Sequence, residues 1–227
     1  RSTARHVPWG SPQGAVCSPL IFTIFVADMP GWVNHSELFG FADDTTSVTS
    51  HSDIDVACEL AEKDADGIMA FMTANYLVAN KEKTKLLIFD PYRHEDTQHR
   101  NIRIGDNAIA ESQCEKVLGL CISNDLRWVD HVQHIKTSLL HRTSVLRRLA
   151  NAVPQEYLRQ LADGLVLSKI RYCVDVYGGA VRTNETAPID GTIQPLEVAV
   201  NDVMRIITGV RRKDGVSIRE LRERTTI

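Results

Sequence analysis

An α+β fold is the expectation for this 227-residue chain, with a sheet-bearing first part and helices alone after about residue 128. Three observations predict it. Strand-like runs bounded by turn residues cluster before residue 123, whereas apolar positions at helical spacing dominate from Asp130 onward. Residues 1–113 carry 9 basic and 16 acidic side chains, net −7, while the remainder carries 17 and 13, net +4. Finally, two adjacent carboxylates, Asp43 and Asp44, fall between two runs that read as strands.

Taken in order, Ser18 is a candidate N-cap with Pro19 at the first helical position, where its missing N–H costs nothing. Leu20, Ile24 and Ala27 share one face of that short helix, which ends before Pro30-Gly31. Residues 36–42 and 45–49 form a β-hairpin candidate around the Asp pair. The next helix starts at Ser52, with Asp55 three residues on as a capping box. Its apolar face is Val56, Leu60, Ile68, Phe71 and Met72. Lys85–Phe89 reads as a strand and Asp90–Asn101 as a polar loop. Ile102–Ile104 and Ala108–Ala110 flank the turn Gly105-Asp106-Asn107. Val117–Ile122 is a further strand, interrupted by Gly119. Val132, Ile135, Leu139 and Leu146 then mark one helix, and Tyr157, Leu161, Leu165 and Ile170 another. Gly178–Pro195 reads as a linker, and a last helix covers Leu196–Thr208 with Gly209 as its C-cap.

Composition excludes several classes. The hydrophobic fraction is 43% and the charged fraction 24%, ordinary for a globular protein. No apolar run approaches the roughly 20 residues that span a bilayer, so no membrane partner is expected. Five cysteines without a CxxC spacing argue against a zinc site or a disulfide framework and for an intracellular setting, nucleus or cytoplasm. His131 and His134 share a helix face without a ligand-type neighbour in sequence, so both are expected as surface or half-buried residues.

Three runs carry chemistry. A tight turn between paired strands holds two carboxylates rigidly and close together, which suits divalent cations with oxygen ligands. Leu38, Phe39 and Phe41 would anchor the incoming strand, and the small Ala42 would leave room for a substrate. Asp is also a common turn residue, so the pair alone leaves both readings open. Upstream, Gly10-Ser11-Pro12-Gln13-Gly14 combines a fixed φ with glycines that let backbone approach a ligand. Gln13 offers an amide donor and acceptor for a base or sugar edge. In the basic half, Arg142, Arg147, Arg148, Lys169 and Arg171 could contact a nucleic-acid backbone, although ordinary surface charge accounts for each singly.

Pro12-Gln13-Gly14, Ser18-Pro19-Leu20 and Phe41-Ala42-Asp43-Asp44 together resemble the reverse transcriptases of non-LTR (LINE-like, jockey-type) retrotransposons. Phe41 stands where Tyr is commoner. Asn80-Lys81-Glu82-Lys83-Thr84 is similar to the family's next motif, and Leu118-Gly119-Leu120 falls at its primer-grip strand. Asp125-Leu126-Arg127-Trp128 with His131 resembles the start of the thumb. Ser168–Cys173 and Leu196–Val210 resemble the sequence beyond it.

The resemblance implies a partial polymerase palm over residues 1–128, built as an antiparallel sheet with packed helices. A small helical thumb over 129–178 follows, then a linker and C-terminal helical segment over 179–227. It implies RNA-templated DNA synthesis with Asp43 and Asp44 as ligands of Mg²⁺ (or Mn²⁺). Lys83 would sit near the departing pyrophosphate, with a solvated surface lysine as its alternative. Pro12, Gln13 and Gly14 would line the template–nucleotide pocket. The implied partners are an RNA template, a DNA primer, deoxynucleoside triphosphates and the missing N-terminal part of the same polyprotein. The family's palm uses one more carboxylate, upstream of the Pro-Gln-Gly turn, and residues 1–9 contain no Asp or Glu. The chain is therefore expected to be a fragment inactive alone, the alternative being a non-catalytic nucleic-acid-binding remnant or co-opted module.

Overall fold

The computed structural model describes residues 14–80, 82–90, 100–178 and 193–226. Helices alternate with small sheets in the first half and fill most of the second, an α+β arrangement as expected. The chain divides into two compact units, Arg1–Ser112 and Gln113–Ile227. The division precedes the strands at 114–123 and does not follow them near residue 128. The reason is packing: Leu120 belongs to the core that the later helices build.

In the first unit, α1 (Ser18–Phe25) has Pro19 in its first turn. Ser18 is its first helical residue, and Cys17 holds the cap position without a side-chain cap bond. Ala27 falls in the turn beyond α1, and no residue of α1 is buried. A 3-10 turn, Met29–Trp32, leads to the expected hairpin of β1 (Ser36–Phe41) and β2 (Asp44–Thr49). Helix α2 (Ile54–Ala74) is capped by Asp53, not Ser52: the Asp53 carboxylate accepts the Asp55 and Val56 N–H groups at 2.9 and 3.4 Å. An acceptor at that position satisfies donors the first helical turn leaves free.

The expected strand over 85–89 shrinks to β3 (Leu86–Leu87), because only these residues pair, in parallel, with Glu111 and Ser112. β4 (Asn101–Ile104) and β5 (Asn107–Ser112) form the second expected hairpin, turning at Gly105 with φ 57°. Of the loop between, residues 91–99 lie outside the described residues. In place of one antiparallel sheet, the described strands form three small sheets, one ordered β3-β5-β4. β4 is an edge there, and an edge strand presents unpaired N–H groups. Glu62 of α2 accepts one of them, from Arg103 at 2.6 Å, and Asp66 accepts the N–H of Gly105 in the turn that follows at 3.2 Å. Part of the acidic excess of this half therefore serves backbone satisfaction.

In the second unit, the expected single strand over 117–122 is a hairpin of β6 (Cys114–Val117) and β7 (Leu120–Ser123). Leu118 and Gly119, with φ of 47° and 90°, form its two-residue turn, the positive-φ pair that suits the twist of paired strands. α3 (Val129–Leu149) matches the expected helix. The next expected helix is a continuous run of α4 (Gln155–Ala162), a π-helical turn (Asp163–Leu167) and α5 (Ser168–Arg171). Arg142 of α3 donates to the Leu165 carbonyl at that π turn across 2.9 Å. α6 (Val174–Tyr177) follows. Of the expected linker, residues 179–192 lie outside the described residues, and Pro195 sits in the first turn of α7 (Gln194–Thr208). Gly209, at φ 70°, closes α7 as expected. α8 (Ile218–Thr225), capped by Ser217, had no counterpart in the sequence reading. Leu139, Leu146, Leu158, Val166 and Val203 form the centre of this unit's core with Tyr177. No helix among the described residues is long and apolar enough to cross a membrane.

Candidate functional site

The Asp pair is presented by the shortest hairpin connection. Phe41 pairs with Asp44, so only Ala42 and Asp43 lie between the strands. Such a turn requires a residue with positive φ at its first central position, normally glycine. Here Ala42 adopts φ 54°, a costly conformation for a residue with a Cβ. Asp43 is the second turn residue and Asp44 the first of β2, which brings two carboxylates to one tip.

Cross-strand partners share a face, so Glu37, Phe39, Phe41, Asp44, Thr46 and Val48 line one side of the hairpin, and all six are exposed. Ser36, Leu38 and Thr49 belong to the other, partly buried side, where the Ser36 and Thr49 hydroxyls approach to 2.7 Å. Of the expected apolar anchors, only Leu38 is on that side; Phe39 and Phe41 alternate onto the open one. Among the described residues no hydrogen bond or ion pair engages the Asp43 or Asp44 carboxylate. Two free hard-oxygen donors on adjacent residues fit a magnesium-type ion, which takes one or two protein carboxylates and keeps waters. No group of three His, Cys, Asp or Glu that could hold a metal occurs among the described residues.

Helix α2 positions this hairpin. The Asp64 carboxylate accepts the N–H groups of Asn34 and His35, each at 2.9 Å, immediately before β1. Asp64 is 2% exposed. Burial alone would raise its carboxyl, but the Asn34 N–H, the Ser36 hydroxyl and the N–H and charge of His35 outweigh it, holding it below the usual carboxylate range. One turn along, a Cβ on Gly67 would lie 2.1 Å from the Trp32 carbonyl oxygen, so the 3-10 turn rests directly on the helix. One further turn along, Phe71 meets the Trp32 ring edge-on, with centroids 6.1 Å apart.

Neither Asp64 nor Gly67 was singled out in the sequence. A signal was present: Asp64 lies four residues from both Leu60 and Ile68, on the stripe read as apolar. Gly67, in mid-helix, is a costly residue there.

Of the other expected site residues, Gly14 is exposed with φ 83°, and Pro12 and Gln13 lie outside the described residues. Lys83 is exposed in a turn that Asn80 organises. The Asn80 side chain accepts the Glu82 and Lys83 N–H groups at 3.1 and 3.3 Å, and the Asn80 backbone carbonyl accepts the Thr84 hydroxyl at 3.0 Å. The Asn-to-Lys-Thr spacing is thus a local turn with Asn as its cap.

In the second unit Leu118 and Gly119 are exposed on their turn while Leu120 is buried. Tyr172 donates its hydroxyl to the Leu118 carbonyl at 2.6 Å. Among the basic residues, Arg147, Arg148 and Lys169 are exposed, Arg171 pairs with Asp163 at 3.0 Å, and Arg142 is half-buried on Leu165. His131 is buried, against expectation, because α3 turns it inward: its Nδ1 accepts the Cys121 N–H at 3.3 Å, and its ring lies 4.8 Å from that of Tyr177. Burial, and secondarily the charge of His134, holds the imidazole below its ordinary range. Burial pushes the Tyr177 phenol up to about 12, and this hydroxyl donates to the Ile170 carbonyl. All five cysteines are free.

Comparison with known proteins bears on most of the chain. The reverse transcriptase (RNA-dependent DNA polymerase) family matches residues 3–122. The RNA-directed DNA polymerase from mobile element jockey of Drosophila funebris is 22% identical over 197 residues, covering 81% of this chain and 21% of the relative. Its Drosophila melanogaster counterpart is 22% identical over 196 residues, with the same coverage of 81% and 21%. The chain thus spans about a fifth of the length of these curated relatives. No solved structure matches. The family match takes in the Asp43–Asp44 hairpin, α2 and the Asn80–Thr84 turn, and covers more than half of the sequence: the chain belongs to the reverse transcriptase family.

Proposed function

We propose that this chain is the palm and thumb portion of a non-LTR retrotransposon polymerase, transferring deoxynucleotides to a primer 3′-hydroxyl on an RNA template. The observation that carries the reading is the tip of the β1–β2 hairpin, where Asp43 and Asp44 are adjacent, exposed and, among the described residues, unengaged. Asp43 and Asp44 would hold Mg²⁺ or Mn²⁺. Such an ion, when bound, supplies stabilisation of the charge that develops on the phosphoryl group being transferred.

The remaining roles fall to the chain's own groups. Lys83, fixed by the Asn80 turn, offers positive charge toward the departing pyrophosphate. Gly14, with Pro12 and Gln13, lines the template–nucleotide pocket and orients the incoming base. The Leu118–Leu120 turn bears on the primer. The exposed Arg147, Arg148 and Lys169 grip phosphates without reading sequence, whereas Arg142 and Arg171 are engaged by the Leu165 carbonyl and Asp163.

Two carboxylates hold the ions less completely than three, so the 227-residue polypeptide alone does not extend a primer. Joined behind the N-terminal part of a jockey-type polymerase, it does, and Asp43→Ala lowers that rate by about a hundred- to a thousandfold. Primer extension on an RNA template with Mg²⁺ tests both statements. Robust incorporation by the chain alone overturns the first, and an Asp43→Ala chimera as fast as its parent overturns the second.

A further inference from the structure

The geometry points to Asp64 as the positioning residue of the Asp43–Asp44 hairpin: its buried carboxylate fixes where β1 begins relative to α2, and through the strand register it fixes the carboxylate tip. The functional half of this statement rests on the polymerase reading above; the positional half does not.

Three consecutive turns of α2 grip one segment, residues 29–35, that leads into β1. Phe71 takes the Trp32 ring, the bare Gly67 backbone takes the Trp32 carbonyl, and Asp64 takes the N–H groups of Asn34 and His35 at 2.9 Å each. The first two contacts set distance. Only the third sets direction, because two N–H groups on consecutive residues converge on the two oxygens of one planar carboxylate, Asn34 on Oδ1 and His35 on Oδ2. The interaction is charge-assisted and nearly dry, with Asp64 2% exposed, so it is stiffer than a solvated bond.

From His35 the path to the tip is short and regular. Ser36 pairs with Thr49, and each later pair follows in register to Phe41–Asp44. A rotation at His35 is therefore carried to Asp43 and Asp44. Elsewhere the hairpin's partly buried side offers mainly small polar residues, Thr45, Ser47 and Thr49, with Leu38 and Gly40, while the Ser36 hydroxyl also reaches Asp64. A two-stranded hairpin is marginal without such support. Asp64 acts through the backbone of 34 and 35.

The experiment compares Asp64→Asn, close to the native volume but with only one acceptor oxygen, with the unaltered chain. Residual dipolar couplings of the 36–49 amides are read against those of α2. In the variant the hairpin couplings are expected to leave the alignment frame of α2, and amide exchange at Asn34 and His35 to quicken by about tenfold or more, with α2 still protected. A variant that merely melts earlier, with hairpin couplings unchanged, overturns the proposal. Should Asp64→Asn not fold, the chain carrying Asp43→Asn and Asp44→Asn, whose tip no longer titrates, decides: acid titration should shift the Asn34, His35 and Gly40–Thr46 amides with one common midpoint, and independent midpoints overturn it. Mn²⁺ broadening of the Phe41–Thr45 amides is recorded alongside. Its absence from the unaltered chain counts against the polymerase reading and leaves the dipolar-coupling result standing.

Discussion

The Tyr172 hydroxyl donates to the Leu118 carbonyl at 2.6 Å, tying the end of the α4–α5 run to the β6–β7 turn 54 residues earlier in sequence. The same ring crowds Gly119: a Cβ there would lie 3.2 Å from the Tyr172 ring, so the ring would have to give by a few tenths of an ångström, on backbone with φ of 90°. Glycine at 119 is thus favoured by its conformation first and by the neighbouring ring second.

Gly119→Ala is expected to destabilise the chain by about 1–3 kcal/mol through strained backbone. Tyr172→Phe keeps the ring but removes the bond and should be milder. Urea unfolding of both variants checks the order, which reverses if the hydroxyl and not the turn conformation holds this hairpin.

Gly67→Ala gives a sign opposite to helix propensity. In an exposed helix interior this change stabilises by about 0.8–1 kcal/mol. Here the new methyl meets the Trp32 carbonyl at 2.1 Å, and overpacking costs about 1–3 kcal/mol. A lowered unfolding midpoint is expected, together with a shift in Trp32 fluorescence.

At the hairpin tip, Ala42→Gly should stabilise by about 1 kcal/mol, since Ala42 holds φ 54° and glycine adopts that region freely. Asp43→Asn and Asp44→Asn remove carboxylates without partners among the described residues and should change stability by no more than about 0.5 kcal/mol. Both should abolish Mn²⁺ broadening of the neighbouring amides. A large loss of stability instead would mark the pair as structural.

His131 makes the second unit sensitive to acid. Its folded-state pKa lies below the ordinary 6.5 because of burial first and His134 second. The unfolded chain therefore takes up the proton more readily, so stability is complete above about pH 6.5 and falls as pH drops below it. The Trp128 and Tyr177 rings, the Cys121 N–H and His134 are what face or influence the imidazole, and none of them is a carboxylate that would offset the charge. Denaturation midpoints between pH 7 and 5 should decline, and the decline should flatten in His131→Asn. Equal slopes in both proteins would exclude His131 as the cause.

Much of the architecture was readable along the chain because it is locally encoded. The Asp43–Asp44 hairpin, the Gly105 turn, α3 and the Gly209 cap each follow from side-chain period and turn chemistry within a few residues. Errors came where two local signals compete. Ser52 and Asp53 can both cap α2, and the carboxylate one residue later reaches the open donors. Val117–Ile122 reads as one apolar run, yet Gly119 lets it fold back.

The Asp43–Asp44 pair was visible as residue types in order: two carboxylates between strands, a glycine-flanked turn before them, an Asn-to-Lys-Thr spacing after. What holds the pair in place was not, because Asp64, Gly67 and Trp32 meet only once α2 folds against the segment before β1. An Asp on an apolar stripe looks like a defect until its two N–H donors arrive from 29 and 30 residues away. Hydrogen-bond satisfaction of buried groups depends on distant chain segments, whereas period, turns and caps depend on neighbours. The tip belongs to the second kind of information and its support to the first.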